Sequence, residues 1–234
     1  MEISQTADYA LQVLFALETK DAQTASDLAT TVGVARSVMQ RILNTLHGRA
    51  LVTRDPAGNF RLSPLLVRLA GHIPNELATV GQPIIDQLAA SIGETVILTV
   101  PEDHEAVVVA RAHAAQSTLR IEYEVGFRQP ITRGASSLAM LAHLDAGTLG
   151  LTLHDDTSLQ LKAIRQRGVS RSRGHVRPEM SGIGAPVLDT TSGLRGAVAI
   201  VVPTSRAERL EHFEDALLAT AGTIATALEA GERV

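Results

Sequence analysis

Five polar side chains fall at short spacing between residues 36 and 44: Arg36, Ser37, Gln40, Arg41 and Asn44. On a helix these positions share one face, because residues three and four apart are surface neighbours. Arg offers a fork of donors to phosphates and guanine edges, Gln and Asn suit adenine, and Ser serves either. The chemistry of such a face is recognition of nucleic acid. Arg54, Asn59 and Arg61 follow on a short strand pair, at positions suited to the sugar–phosphate backbone or the minor groove. Signatures of bond-making are missing. There is no Gly-x-Ser-x-Gly and no His-Glu-x-x-His, and Gly134-Ala135-Ser136-Ser137 lacks a closing Gly and an evident base. His154-Asp155-Asp156 places one His beside adjacent acids, whereas metal sites draw spaced ligands from several elements. His113 and His143 are isolated. With 0 Cys, thiolate metal sites and disulfides are excluded. The expectation is no enzyme, no cofactor and no metal.

The recognition face needs elements to hold it. Ser4 to Thr19 reads as a helix with Ala7, Ala10, Leu11, Val13, Leu14 and Leu17 as its apolar face. A second helix spans Ala25 to Thr31, capped by Thr24 or Ser26, with Leu28, Ala29 and Val32 inward. Gly33 permits a tight turn. A third helix runs from Ala35 to His47 on a buried stripe of Val38, Ile42, Leu43 and Leu46, and Gly48 ends it. Strands at Leu51–Thr53 and Asn59–Leu62 flank a turn at Asp55-Pro56-Ala57-Gly58. Helix, short helix, turn, helix and hairpin make a winged helix-turn-helix, whose third helix enters the major groove of double-stranded DNA.

Charge supports that reading. The chain of 234 residues carries a net −4. Residues 1–62 balance 6 Lys/Arg against 6 acids, yet Gly33 to Leu62 holds 5 Arg and 1 Asp, a local +4. Residues 63–234 carry the remaining 15 bases and 19 acids. A basic strip attached to an acidic partner domain fits DNA binding joined to sensing or assembly. No basic start leads into an apolar run, and no stretch is long enough to span a bilayer, so no membrane partner is expected and the expected location is the cytoplasm.

Three stretches resemble the IclR family of bacterial regulators: VGVARSVMQRILNTLHGRALVTRDPAGNFRLSP, GFRQPITRGASSLAMLAHL and IRQRGVSRSRGHVRPEMSGIGAPVLDTTSGLRGAVAIVVP. Their order and spacing cover nearly the whole chain. The resemblance implies a DNA-binding domain at 1–62, a linker helix at 63–74, and an effector-binding and oligomerisation domain at 75–234 of GAF/PAS-like mixed sheet. It implies a homodimer or tetramer on a palindromic operator, controlled by a small-molecule effector such as an organic or aromatic acid. Arg36, Ser37, Gln40 and Arg41 match DNA-facing positions. Ala35 stands where many members have Pro, and Val38 where many have Thr, which removes one hydroxyl donor. TADYALQVLFALE also resembles small iron–sulfur-sensing winged-helix regulators, but the lack of Cys and the long second domain oppose that reading.

Beyond Pro64, LLVRLAGHI reads as a short amphipathic helix, interrupted at Pro74. Asn75 caps a helix to about Ser91. Strands are expected at Thr95–Val100, Ala106–Ala112, Leu119–Val125, Ile183–Leu188 and Leu194–Pro203. Helices are expected at 134–144, Leu159–Gly168 and Arg206–Glu229. The class is α+β. By resemblance, the ligand lies among Leu119, Ile121, Ala135, Ser136, Gly182, Ile183, Ala199 and Val201, with the helix at 134 offering its N-terminus to a carboxylate. Ala199 and Val201 stand where members that bind small oxo-acids place Ser, which implies a larger or aromatic ligand. The run Arg165, Arg167, Arg171, Arg173 and Arg177 has two readings, an anion clamp over the pocket or a solvated loop. Two other functions stay open: a regulator whose second domain only assembles oligomers, and a metabolite-binding enzyme with a DNA-like domain.

Overall fold

The computed structural model describes residues 3–70, 75–113, 123–190 and 193–231, within two compact units, Met1–Pro74 and Asn75–Val234.

The first unit runs α1 (Gln5–Thr19), α2 (Ala25–Val32), α3 (Arg36–Gly48), the hairpin β1 (Val52–Arg54) and β2 (Phe60–Leu62), and α4 (Leu65–Ala70). Its core joins Val13, Leu17, Leu28, Met39, Leu43, Val52 and Phe60. Thr24 caps α2 reciprocally: its hydroxyl accepts from the Asp27 N–H at 3.2 Å, and the Asp27 carboxylate accepts from the Thr24 N–H at 3.3 Å. Gly33 follows in the left-handed region at φ 76°, where a side chain would be strained. Buried Gln23 ties the hairpin to the α1–α2 connection. It exchanges backbone hydrogen bonds with Phe60 at 3.1 and 2.8 Å, and its side chain donates to the Ala16 carbonyl.

Two expected stripes shift. On α1 only Val13 and Leu17 are buried, while Leu11 is 55% and Phe15 65% exposed. Positions two apart lie about 200° round a helix, so the Leu11–Phe15 row faces away from the Val13–Leu17 row. On α3 the buried row is Met39, Ile42, Leu43 and Leu46, an i, i+3, i+4, i+7 series. Val38 sits one residue off that series and is 38% exposed, on the polar face rather than in the core.

The second unit runs α5 (Glu76–Ile92), β3 (Thr95–Glu102), β4 (Glu105–Ala112), β5 (Arg128–Pro130), α6 (Ala135–Leu141), α7 (Asp155–Arg167), β6 (Ser170–Arg173), β7 (Met180–Asp189) and β8 (Gly193–Pro203). A 3-10 helix (Thr204–Phe213) and α8 (Glu214–Gly231) complete it. The sheet order is β5-β4-β3-β8-β7-β6, and each pairing is antiparallel. Strand alternation divides the side chains. Val96, Leu98, Ile183, Ala185, Val198 and Ile200 pack with α5 and α8. Ile97, Ala199 and Val201 point to the other face, beside Tyr123. A register shift between Leu98 and Thr99, opposite Ala110 and Val108, turns Val108 to one face and Ala110 to the other.

Three expectations change in this unit. The strand expected at Leu119–Val125 lies outside the described residues up to 122. Tyr123–Val125 is not strand, because the chain turns there, with the Phe127 N–H donating to the Glu124 carbonyl, before pairing begins at Arg128. The helix expected at 134–144 is shorter, since His143 and Leu144 already close turns onto Met140 and Leu141. Ser170–Arg173, expected within a loop, is a strand. Ser170 is buried and Ser172 half-buried, while Arg171 and Arg173 are exposed, an alternation without apolar residues to reveal it. Among the described residues, no helix is long and apolar enough to cross a membrane.

Candidate DNA-reading face and ligand pocket

Along α3, Arg36, Ser37, Val38, Arg41 and Asn44 are exposed and Gln40 is half-buried. Gln40 Nε2 donates to Asn44 Oδ1 at 3.1 Å, which pre-orients both amides. Among the described residues, neither Arg36 nor Arg41 has an acidic partner within ion-pair distance. Their donors are therefore available to an external anion. Ala35 supplies no capping oxygen at the start of this helix.

The hairpin residues have partners within the unit, although Arg54 and Arg61 stay exposed. Arg54 Nε donates to the Gly58 carbonyl at 3.3 Å, and its guanidinium lies 5.5 Å from the Phe60 ring centroid. The Asn59 N–H and side-chain amide both donate to Asp55, at 2.8 and 3.1 Å. Arg61 pairs with Asp21 at 3.6 Å and Asp55 at 4.0 Å. The backbone N–H of Asn59, above all, holds the Asp55 carboxyl below its ordinary range. Asn59 thus fastens the turn through its backbone and its side-chain amide nitrogen, while the residue stays partly exposed.

In the second unit, one cavity lies between the sheet and the start of α6. Ala135, Ser136, Gly182, Ala199 and Val201 line it. Ile183 does not: strand alternation sends it to the opposite face, fully buried among α5 and α8 side chains. Leu119 and Ile121 lie outside the described residues. Gly184 allows the first turn of α6 to lie on β7, since a Cβ there would sit 2.7 Å from the Ala135 carbonyl carbon and 2.8 Å from the Ser136 nitrogen. Residues not foreseen complete the wall. Gln129 Nε2 donates to Ser137 Oγ at 2.7 Å and approaches Ser136 Oγ at 3.4 Å. Tyr123 is 4% exposed and meets Phe127 edge-to-face at 5.2 Å. Burial raises the Tyr123 phenol above its ordinary range, against the opposing charge of Arg177. The Arg177 guanidinium lies 5.3 Å from the Tyr123 centroid and 5.4 Å from that of Phe127. Among the described residues, no Asp or Glu lines the cavity, which leaves about 20 Å³ of internal space, room for about one water.

The arginine run separates by position. Arg165 donates to the Ala142 carbonyl from α7, and Arg171 pairs with Glu211 at 3.2 Å and Glu214 at 2.6 Å. Of the five, only Arg177 lines this cavity. His154 stands at the N-cap of α7, with Asp155 and Asp156 in its first turn, where acids favour the helix dipole. His143 Nε2 is buried without a hydrogen-bond partner among the described residues. Burial first, then the Arg165 charge, lowers its pKa below 6.5.

Comparisons with known proteins accord with this geometry. Residues 6–56 match the IclR helix-turn-helix domain, and residues 74–226 match the bacterial transcriptional regulator IclR C-terminal domain. The HTH-type transcriptional regulator TtgV of Pseudomonas putida is 30% identical over 198 residues, 78% of this chain and 74% of that protein. The Thermotoga maritima IclR crystal structure superposes with a TM-score of 0.80 at 18% identity, covering 95% of this chain and 98% of that one. An IclR homolog from Microbacterium hydrocarbonoxydans, crystallised in complex with 4-hydroxybenzoate, gives a TM-score of 0.80 at 22% identity over 97% of this chain and 100% of that one.

Proposed function

The chain belongs to the IclR family of bacterial DNA-binding transcriptional regulators, regulators and not enzymes, and from that membership we propose that a small organic or aromatic acid bound in its second unit controls its grip on DNA. The observation that carries this reading is the cavity beside α6: apolar at Ile97, Ala199 and Val201, polar at Gln129, Ser136, Ser172 and Ser181, and bordered by one arginine and, among the described residues, no acid. The complex of a structural relative with 4-hydroxybenzoate points to the same ligand class.

On the DNA side, Arg36, Ser37, Gln40, Arg41 and Asn44 read the major groove, with Val38 offering methyl groups to a thymine methyl where a hydroxyl would offer a hydrogen bond. Arg54 and Arg61 contact the backbone from the wing. The division of labour follows 1–62 for DNA, 63–74 as linker and 75–234 for the ligand. Two copies bind a palindromic operator, since a two-fold protein matches a two-fold site. The apolar surface left for pairing includes Phe15 on α1 and Val67, 76% exposed, on α4, a helix with no buried residue.

The small free volume favours a second reading, in which the second unit only assembles oligomers. Fluorescence anisotropy on the DNA upstream of the protein's own gene, with and without a panel of aromatic and short aliphatic acids, separates the two. The proposal expects at least one acid to shift the midpoint, and by linkage DNA shifts that acid's affinity by the same factor. Acids that leave both midpoints unchanged support the assembly reading.

A further inference from the structure

We propose that Arg177 is the residue that selects a carboxylate in this pocket, by exchanging its resting place on two aromatic rings for a bidentate grip on the ligand. The inference rests on the reading of the second unit as an acid sensor and names the group that makes it one.

Arg177 sits in the segment 174–179 between β6 and β7, pinned at its ends by the Gly174 N–H donating to the Met180 carbonyl at 2.8 Å and the Met180 N–H to the Arg177 carbonyl at 3.0 Å. Arg177 is half-buried, yet among the described residues its guanidinium meets no carboxylate. It rests instead against the rings of Tyr123 and Phe127. Ring faces attract a cation but satisfy its five N–H donors only weakly. A partly buried cation whose side chain donates no hydrogen bond among the described residues is poised for an anion, because an Arg–carboxylate pair supplies both charge balance and hydrogen bonds.

The surroundings favour the same partner. Among the described residues no carboxylate lines the cavity, and the adjoining depression of about 220 Å³ brings Arg133 and His175 to its mouth, again without an acid on its wall. A basic approach of this kind concentrates anions. The cavity now holds about one water's worth of space, so a ligand must displace something. A flat apolar acid does so at the smallest cost: its body takes the Tyr123 and Phe127 surfaces, and its carboxylate takes the guanidinium that leaves them. A neutral molecule of the same shape displaces Arg177 and returns nothing to it.

The test is isothermal titration of the full chain with benzoate, phenylacetate and 4-hydroxybenzoate, each beside its neutral amide. The proposal expects at least one acid to bind about tenfold or more tighter than its amide, the scale of a charge-assisted contact. Arg177→Gln should bring that acid and its amide to nearly equal affinity, Arg177→Lys should keep part of the preference, and Arg173→Gln, which removes a nearby charge outside the cavity, should keep all of it. Melting temperatures of the variants check that the fold is intact. If an acid binds and Arg177→Gln keeps the full preference for it, the Arg177 assignment is overturned while the acid sensor stands. If no acid binds, or amides bind as well as acids in the unaltered chain, both are overturned.

Discussion

The recognition helix and the pocket handle their polar groups in opposite ways. On α3, Arg36, Ser37, Arg41 and Asn44 stand on an exposed face above an aliphatic row, and the two arginines have no acidic partner among the described residues. Around the cavity, Gln129, Ser136 and Ser137 turn inward and bond one another, and Arg177 is parked on rings. One region presents a finished outward surface. The other is an inward-facing cavity with about one water's worth of space. A surface can carry chemistry without disturbing its core, whereas a pocket is made of core, so the same kinds of substitution have different costs in the two regions.

That contrast can be broken by measurement. The largest effect belongs beneath the face and not on it. Leu43→Ala should cost about 2–5 kcal/mol in denaturant unfolding, since Leu43 is fully buried, while Arg41→Ala should stay within about 0.5 kcal/mol. Equal destabilisation by the two would mean that Arg41 is part of the scaffold. In the pocket the distinction should vanish. Gly184→Ala presses a Cβ onto the Ala135 carbonyl carbon and should cost about 1–3 kcal/mol while also weakening binding of any acid ligand measured by titration. A variant that binds normally would show that α6 tolerates displacement. On the wing, Asn59→Ala should remove about 1 kcal/mol of stability, the scale of a net hydrogen bond, and lower DNA affinity less than Arg36→Ala does. A larger drop in affinity than in stability would restore Asn59 as a reading residue.

What the sequence made legible follows the same division. The α3 face stood out because its polar residues interrupt a 3.6-residue apolar period, and the hairpin because Asp55-Pro56-Ala57-Gly58 has turn chemistry. Even so, a one-residue offset exchanged Val38 for Met39 in the core. The pocket offered less to read. Ala135, Gly182, Ala199 and Val201 have the same composition as core, and a one-residue parity separates Gly182, on the cavity, from Ile183, behind the sheet. Tyr123 and Gln129 come from one short stretch, and Arg177 joins them on the cavity wall only through the fold. The strand Ser170–Arg173 alternates Ser with Arg, a pattern that hydrophobic periodicity does not register.

Acid should distinguish the units by small shifts. In the first, the Thr24 hydroxyl and backbone N–H hold the Asp27 carboxyl below its ordinary 3.8. A lowered folded value means that this stabilisation is present above 3.8 and is lost as pH falls through the folded pKa. In the second, His143 is lowered from 6.5. Its neutral form is favoured by folding, so its contribution is present above 6.5 and fades as pH falls from there through its folded pKa. Melting followed from neutral to mildly acidic pH should therefore weaken the second unit first, and His143→Leu should flatten that slope. A slope unchanged by His143→Leu would assign it to other groups.

The central claim is that the outward cations of α3 bind the DNA. It is tested most directly by the salt dependence of binding to the upstream DNA, measured for the unaltered chain and for the Arg36→Ala, Arg41→Ala double variant. Removing one arginine–phosphate pairing should reduce the slope of log K against log salt by about 0.9. If both arginines engage phosphates, the double variant should bind more weakly, with a slope shallower by about 2 per recognition helix engaged. Unchanged affinity and unchanged slope would contradict the account and move the DNA-reading surface off this helix.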